Sequence, residues 1–105
     1  MDSPIDPITL TQVRSALDAA LVRHTVHAHN LANAQTPGFL ARTVSFQESF
    51  DRAAQEPVLQ ATNTPVNTAT EVAAMAENTL HYQALVRLLN RELSIAAIAL
   101  NDGKR

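Results

Sequence analysis

From Val72 to Leu100 the chain returns to one face at spacings that alternate between three and four: Val72, Met75, Thr79, Tyr82, Val86, Leu89, Leu93, Ala96 and Leu100. Such alternation keeps one helix stripe in register with a partner helix over about four heptads. A shorter pattern of the same kind runs Leu10, Val13, Leu17, Ala20, His24, His27, Leu31 and Ala34, with six of these eight positions apolar. Thr9 or Thr11 is expected to cap the first helix and Thr70 the second. The pattern predicts an all-α fold in one domain. Two long antiparallel helices, over 9–34 and 71–101, form a coiled-coil-like pair across an irregular connector spanning 35–70. At ~1.5 Å per residue each helix would measure roughly 35–45 Å.

The first helix has a clear stop. Asn competes for nearby backbone groups and tolerates the left-handed conformation that ends helices, so Asn30 and Asn33 read as its terminus. In Thr36-Pro37-Gly38-Phe39, Pro37 presets φ for the second turn position and Gly38 supplies a positive φ at the third, which predicts a type II turn. Within the connector, Phe46 and Phe50 are four apart and suggest a short helix over about Ser45–Gln55, stopped by Pro57. Val58–Thr62 reads as extended, and Asn63-Thr64-Pro65 as a turn.

Composition narrows the function. Apolar residues make up 46% and aromatic residues 4%, with no Trp, which suits close helix packing better than a bulky core. A net charge of −2 and pI near 6.0, without a basic cluster, exclude a nucleic-acid footprint. Two glycines in the whole chain are too few for a phosphate-cradling loop. Ser15, Ser45, Ser49 and Ser94 lack a nucleophile-elbow context, and Glu71, Glu77 and Glu92 have no matched catalytic partner. The chain is therefore not expected to be an enzyme, to hold a cofactor or to take a small-molecule substrate. His24 and His27 lie three apart, with His29 nearby and His81 on the other helix. Zinc wants three or four ligands with second-shell support, and with no Cys and no acidic residue on that face these histidines are read as packing and hydrogen-bonding groups. A weaker expectation is association that responds to pH through them. Met1–Pro7 lacks the apolar core of a cleavable signal, and no run approaches the ~20 apolar residues that span a bilayer. Any route out of the cytoplasm would then dispense with such a signal.

Leu80, Leu85, Leu88, Ile95 and Ile98 fall outside the C-terminal seam. One partner helix covers one seam, so a simple hairpin would leave these side chains in water, and further neighbours are expected.

Asn30-Leu31-Ala32-Asn33-Ala34-Gln35-Thr36-Pro37-Gly38-Phe39 resembles the Asn-hydrophobic-Ala-Asn-Ala-x-Thr-Pro-Gly-aromatic signature of bacterial flagellar rod proteins. Ala41-Arg42 and Phe46 match the form seen in FlgB-type proximal-rod members, and Glu71, Met75, Glu77-Asn78, Leu80 and Tyr82-Gln83 resemble that family's second block. Gln35 and Leu40 stand where the family commonly has an acidic and a basic residue. The resemblance implies a structural subunit exported unfolded by the flagellar type III apparatus and polymerised through its terminal helices into the periplasmic rod of the basal body, where it transmits torque for motility. Implied partners are copies of itself, other rod proteins, the rod-base adaptor and the membrane (MS) ring. The signature turn is then Asn30, Leu31, Ala32, Asn33, Thr36, Pro37, Gly38 and Phe39. The helix-packing surface is Leu10, Val13, Leu17, Leu31, Val72, Met75, Tyr82, Val86, Leu89, Leu93 and Leu100. Alternatives are a FlgC-type rod protein or a soluble helical adaptor or export chaperone.

Overall fold

The computed structural model describes residues 7–49 and 52–103. Helix α1 spans Pro7–Ala32, strands β1 Leu40–Ser49 and β2 Arg52–Pro65 follow, and helix α2 spans Thr68–Gly103. Two long helices are present, but the chain is not all-α. The connector expected to be irregular with a short helix is an antiparallel hairpin. Thr43, Val44 and Phe46 carry strand-favouring side chains, and the polar residues alternating with Val44 and Phe46 give the period of two that a pleated strand needs. Pairing sets Val44 opposite Leu59 and Phe46 opposite Pro57, on a face that packs on α1. Pro57 thus lies inside β2. In a two-stranded sheet both strands are edges, so its missing N–H need not break the ladder. Phe50 of the Phe46/Phe50 pair, residues 1–6, Lys104 and Arg105 lie outside the described residues.

Asn63-Thr64-Pro65, expected to be a turn, belongs to β2, where the register shifts between Leu40 and Arg42. There the Thr62 hydroxyl donates to the Ala41 carbonyl at 2.6 Å and supplies the pairing the irregular ladder lacks. Val58–Thr62 is extended, as its residues suggest.

The helix termini correct several expectations. Helix α1 begins with Pro7, whose fixed φ and missing N–H suit the first turn, so Thr9 and Thr11 lie inside the helix. At the other end, no non-glycine described residue has positive φ, so neither asparagine uses the left-handed conformation. Asn33 instead ends the helix with its side chain: Nδ2 donates to the His29 carbonyl at 2.9 Å, and Oδ1 accepts from the Thr36 hydroxyl at 3.2 Å. The turn at 36–39 is present, with Gly38 at φ 76° and the Phe39 N–H donating to the Thr36 carbonyl at 3.2 Å. Phe39 then sets its ring edge-on to His29, centroids 5.6 Å apart, which pins the turn back on α1.

Helix α2 is capped by Asn67 and not by Thr70. Asn67 Oδ1 accepts the Thr70 N–H at 3.1 Å, and its carbonyl accepts the first helical bond from Glu71. Substituting Asn67 with alanine is expected to cost about 1 kcal/mol, read as a lower urea midpoint with an unchanged slope.

Helix α1 is the central element: the hairpin packs on one side of it and α2 on another, while among the described elements α2 packs on α1 alone. Among the described residues the buried apolar side chains are Val13, Ala19, Ala20, Val26 and Ala41, none larger than valine. Small residues let the helices approach closely but bury little area each. The chain is accordingly extended. Its radius of gyration is 18.2 Å, against about 13 Å for a compact domain of this length. Among the described residues no helix is long and apolar enough to cross a membrane.

Candidate functional site

The C-terminal end of α1 anchors both other parts of the fold. Asn30 is fully buried (0% exposed). Its Nδ2 donates to the Arg42 carbonyl at 2.8 Å and to Glu71 Oε1 at 3.1 Å, while its Oδ1 accepts the Arg42 N–H at 2.9 Å. One amide therefore joins α1, β1 and α2. The second Glu71 oxygen lies 2.6 Å from His27 Nδ1. An ionised carboxylate has no proton to give, so the imidazole donates, with its proton on Nδ1. Glu71 sits in the first turn of α2, where the helix dipole favours a carboxylate. About two turns further on, the buried Asn78 donates from Nδ2 to the Ala20 carbonyl at 2.8 Å, across the small-residue contact between the helices.

His27 thus has an acidic neighbour, contrary to the reading of its own helix face, because that neighbour comes from α2. His24 is exposed, His29 meets Phe39, and His81 shares a polar cleft with Arg23, His27 and Glu77. Among the described residues no group of three or more His, Asp or Glu side chains could hold a metal. No described buried side-chain N or O atom lacks a partner. The hydrogen bonds of Asn30 and Glu71 hold α1, β1 and α2 in position at the junction.

The residues singled out for assembly divide. Val13 is buried; Leu10, Leu17, Leu31, Met75, Tyr82, Val86 and Leu89 are half-buried; Val72, Leu93 and Leu100 are exposed. In the signature, Leu31, Asn33 and Phe39 are half-buried beside the buried Asn30, and Ala32, Thr36, Pro37 and Gly38 are exposed. The repeating covered positions of α2 include Glu71, Met75, Asn78, Tyr82, Leu85, Leu89, Glu92 and Ala96. Alternate members of this face lie one residue earlier than an apolar count places them: Glu71 and Asn78 in place of Val72 and Thr79, Leu85 and Glu92 beside Val86 and in place of Leu93. The bonds from Glu71 and Asn78 to α1 set this rotation, and it turns Val72 outward; Leu93 lies on the same side as the half-buried Met75 and is exposed because it falls past the described start of α1. Glu71 and Asn78 are the residues joining α2 to α1 that hydropathy misses. A polar residue recurring seven positions later on a helix was the available signal.

Apolar side chains are left uncovered on two sides of α2: Leu80 (68% exposed), Leu88, Ile95 and Ile98 (61%) on its outward side, and Leu93 and Leu100 (67%) on the side of Met75 and Tyr82, towards the helix end. The contacts of Ala20 with Asn78 and His27 with Glu71 fix an antiparallel register. Continued in that register, Pro7 is level with Arg91. The last twelve residues of α2, Glu92–Gly103, therefore run about 18 Å beyond the described start of α1.

No family model matches the chain. Among curated proteins it is 25% identical, over 123 aligned positions, to the flagellar basal body rod protein FlgB of Bacillus subtilis (strain 168), an alignment that takes in 91% of this chain and 95% of that protein. The resemblance carried by residues 30–39 thus extends along almost the entire chain, which is similar to a FlgB-type flagellar basal-body rod protein.

Proposed function

We propose that this chain is a structural subunit of the proximal flagellar rod, polymerising through its two terminal helices into the axle that carries motor torque. The observation that carries this reading is the apolar face that α2 leaves uncovered. The accessible surface is 7743 Å², whereas a compact protein of 11.4 kDa exposes about 5,800 Å². The excess is larger than the ~800 Å² that each partner contributes to a standard interface. A monomer rarely leaves so much apolar helix in water, whereas a subunit with neighbours on several sides uses it. Heterologous contacts that do not close build a helical tube. Its role is structural and not enzymatic, and its partners are copies of itself, other rod proteins, the rod-base adaptor and the MS ring. Export through the flagellar type III apparatus, without a cleaved signal, delivers it to the periplasmic rod.

Ala97 lies on the exposed overhang of α2 and the sequence contains no Cys, so Ala97→Cys gives a unique cross-linking handle. In intact cells of the host bacterium this variant is expected to trap flagellar rod proteins, the adaptor or the MS-ring protein, identified by mass spectrometry. Capture of a soluble cytoplasmic partner with no flagellar protein would replace the rod reading with that of an adaptor or export chaperone.

A further inference from the structure

Two clefts flank the α1–α2 contact, and they differ in chemistry. One, about 390 Å³, is lined by Arg23, His27, Ala74, Glu77, Asn78 and His81. The other, about 200 Å³, is lined by Ala20, Leu21, His24, Asn78, Thr79 and Tyr82 and contains no Asp, Glu, Lys or Arg. Leu21, on the lip of the second cleft, is the most exposed large apolar side chain among the described residues of α1 (51%). The overhang of α2 matches that uncharged surface: Leu93–Asn101 also contains no Asp, Glu, Lys or Arg, and Leu93, Ile95, Ile98 and Leu100 are exposed along it.

From these features we infer that the overhanging end of α2 from one copy seats in the Leu21–Tyr82 cleft of a second copy, as a head-to-tail contact. The inference rests on the polymerisation reading and names the surfaces that meet. A straight helix cannot return to its own cleft, because Leu100 lies about 27 Å along the axis from Tyr82. The occupant is therefore another molecule. The charged cleft is the wrong receptor, since apolar side chains placed there would strip water from Arg23 and Glu77 without replacing it. Donor and receptor are different patches of one chain, so each bound copy still offers a free end and a free cleft, and the contact propagates.

Disulfide trapping tests this directly. Leu21→Cys and Leu100→Cys chains are mixed and oxidised, alongside a mixture of Glu77→Cys, on the opposite flank, with Leu100→Cys. The first mixture is expected to give at least tenfold more heterodimer than the second, and the Leu21→Cys/Leu100→Cys double variant a ladder of trimers and longer species. Sedimentation velocity follows association separately. Association without preferential Leu21→Cys/Leu100→Cys trapping, or trapping only between two Leu100→Cys chains, would overturn the head-to-tail contact and leave polymerisation standing. A chain monomeric at every concentration would overturn both.

Discussion

Asn30→Ala is expected to cost about 2–4 kcal/mol, a large part of the isolated chain's stability at 25 °C. The deletion removes the partners of both Arg42 backbone groups and of Glu71 Oε1. Each polar group left buried without a partner costs ~1–3 kcal/mol. A chain whose buried apolar residues are small has little reserve, so a stability near the lower end of the usual range, about 5 kcal/mol, is the relevant comparison. Asn30→Asp should be as damaging. It keeps an acceptor for the Arg42 N–H, loses both donated bonds and sets a second carboxylate against Glu71. His27→Ala, which takes one bond from the half-buried end of the same network, should cost only about 1 kcal/mol. Urea unfolding followed by circular dichroism orders the three variants. Hydrogen exchange adds a sharper readout, because β1 and the first turns of α2 should lose protection together in Asn30→Ala. If its midpoint matched the parent, the amide would not be the joint between α1, the hairpin and α2.

Leu80→Glu and Ile98→Glu should have the opposite profile, with the folded chain intact and assembly lost. Both side chains are mostly in water in the isolated subunit, at 68% and 61% exposure, so their replacement should change its stability by no more than ~0.5 kcal/mol. In a polymer the same positions would be covered by neighbours, and an unpaired carboxylate buried there costs several kcal/mol per contact. Cells carrying either variant as their only copy should be non-motile, with normal levels of a subunit that fails to enter basal bodies. Leu89→Glu, on the half-buried face, should instead unsettle the helix pair itself. Full motility of both the Leu80 and the Ile98 variants would remove the outward face of α2 from assembly.

The two long helices and the turn between Thr36 and Phe39 are legible in the residues alone, because each depends on local rules. An apolar repeat near 3.5 has only a helix to serve, and Pro37-Gly38 favours one type of turn. The surplus of apolar residues on α2 is legible for the same reason, since counting them against one seam needs no coordinates. Ends of helices are less so. Thr9, Thr11, Thr70 and Asn67 are all acceptable caps by type, and the difference lies in which side chain reaches a free N–H.

The hairpin was hidden for a different reason. Phe46 and Phe50 satisfy a helical spacing as well as a strand, and β1 becomes worth forming only when β2 pairs with it and α1 covers one face. Asn30 shows the limit most clearly. Its type and position announce the end of a helix, and that is where local chemistry stops. Burial of its amide against Arg42 and Glu71, which lie 12 and 41 residues away, follows from bringing three elements to one point. The same bonds, with Asn78 on Ala20, rotate α2 so that Glu71, Asn78 and Glu92 take positions on its covered face and Val72 turns outward. Hydropathy ranks residues by their cost in water and so assigns apolar ones to the seam. Once a polar side chain finds all its partners in the interior that cost disappears, and those partners exist only in the folded chain.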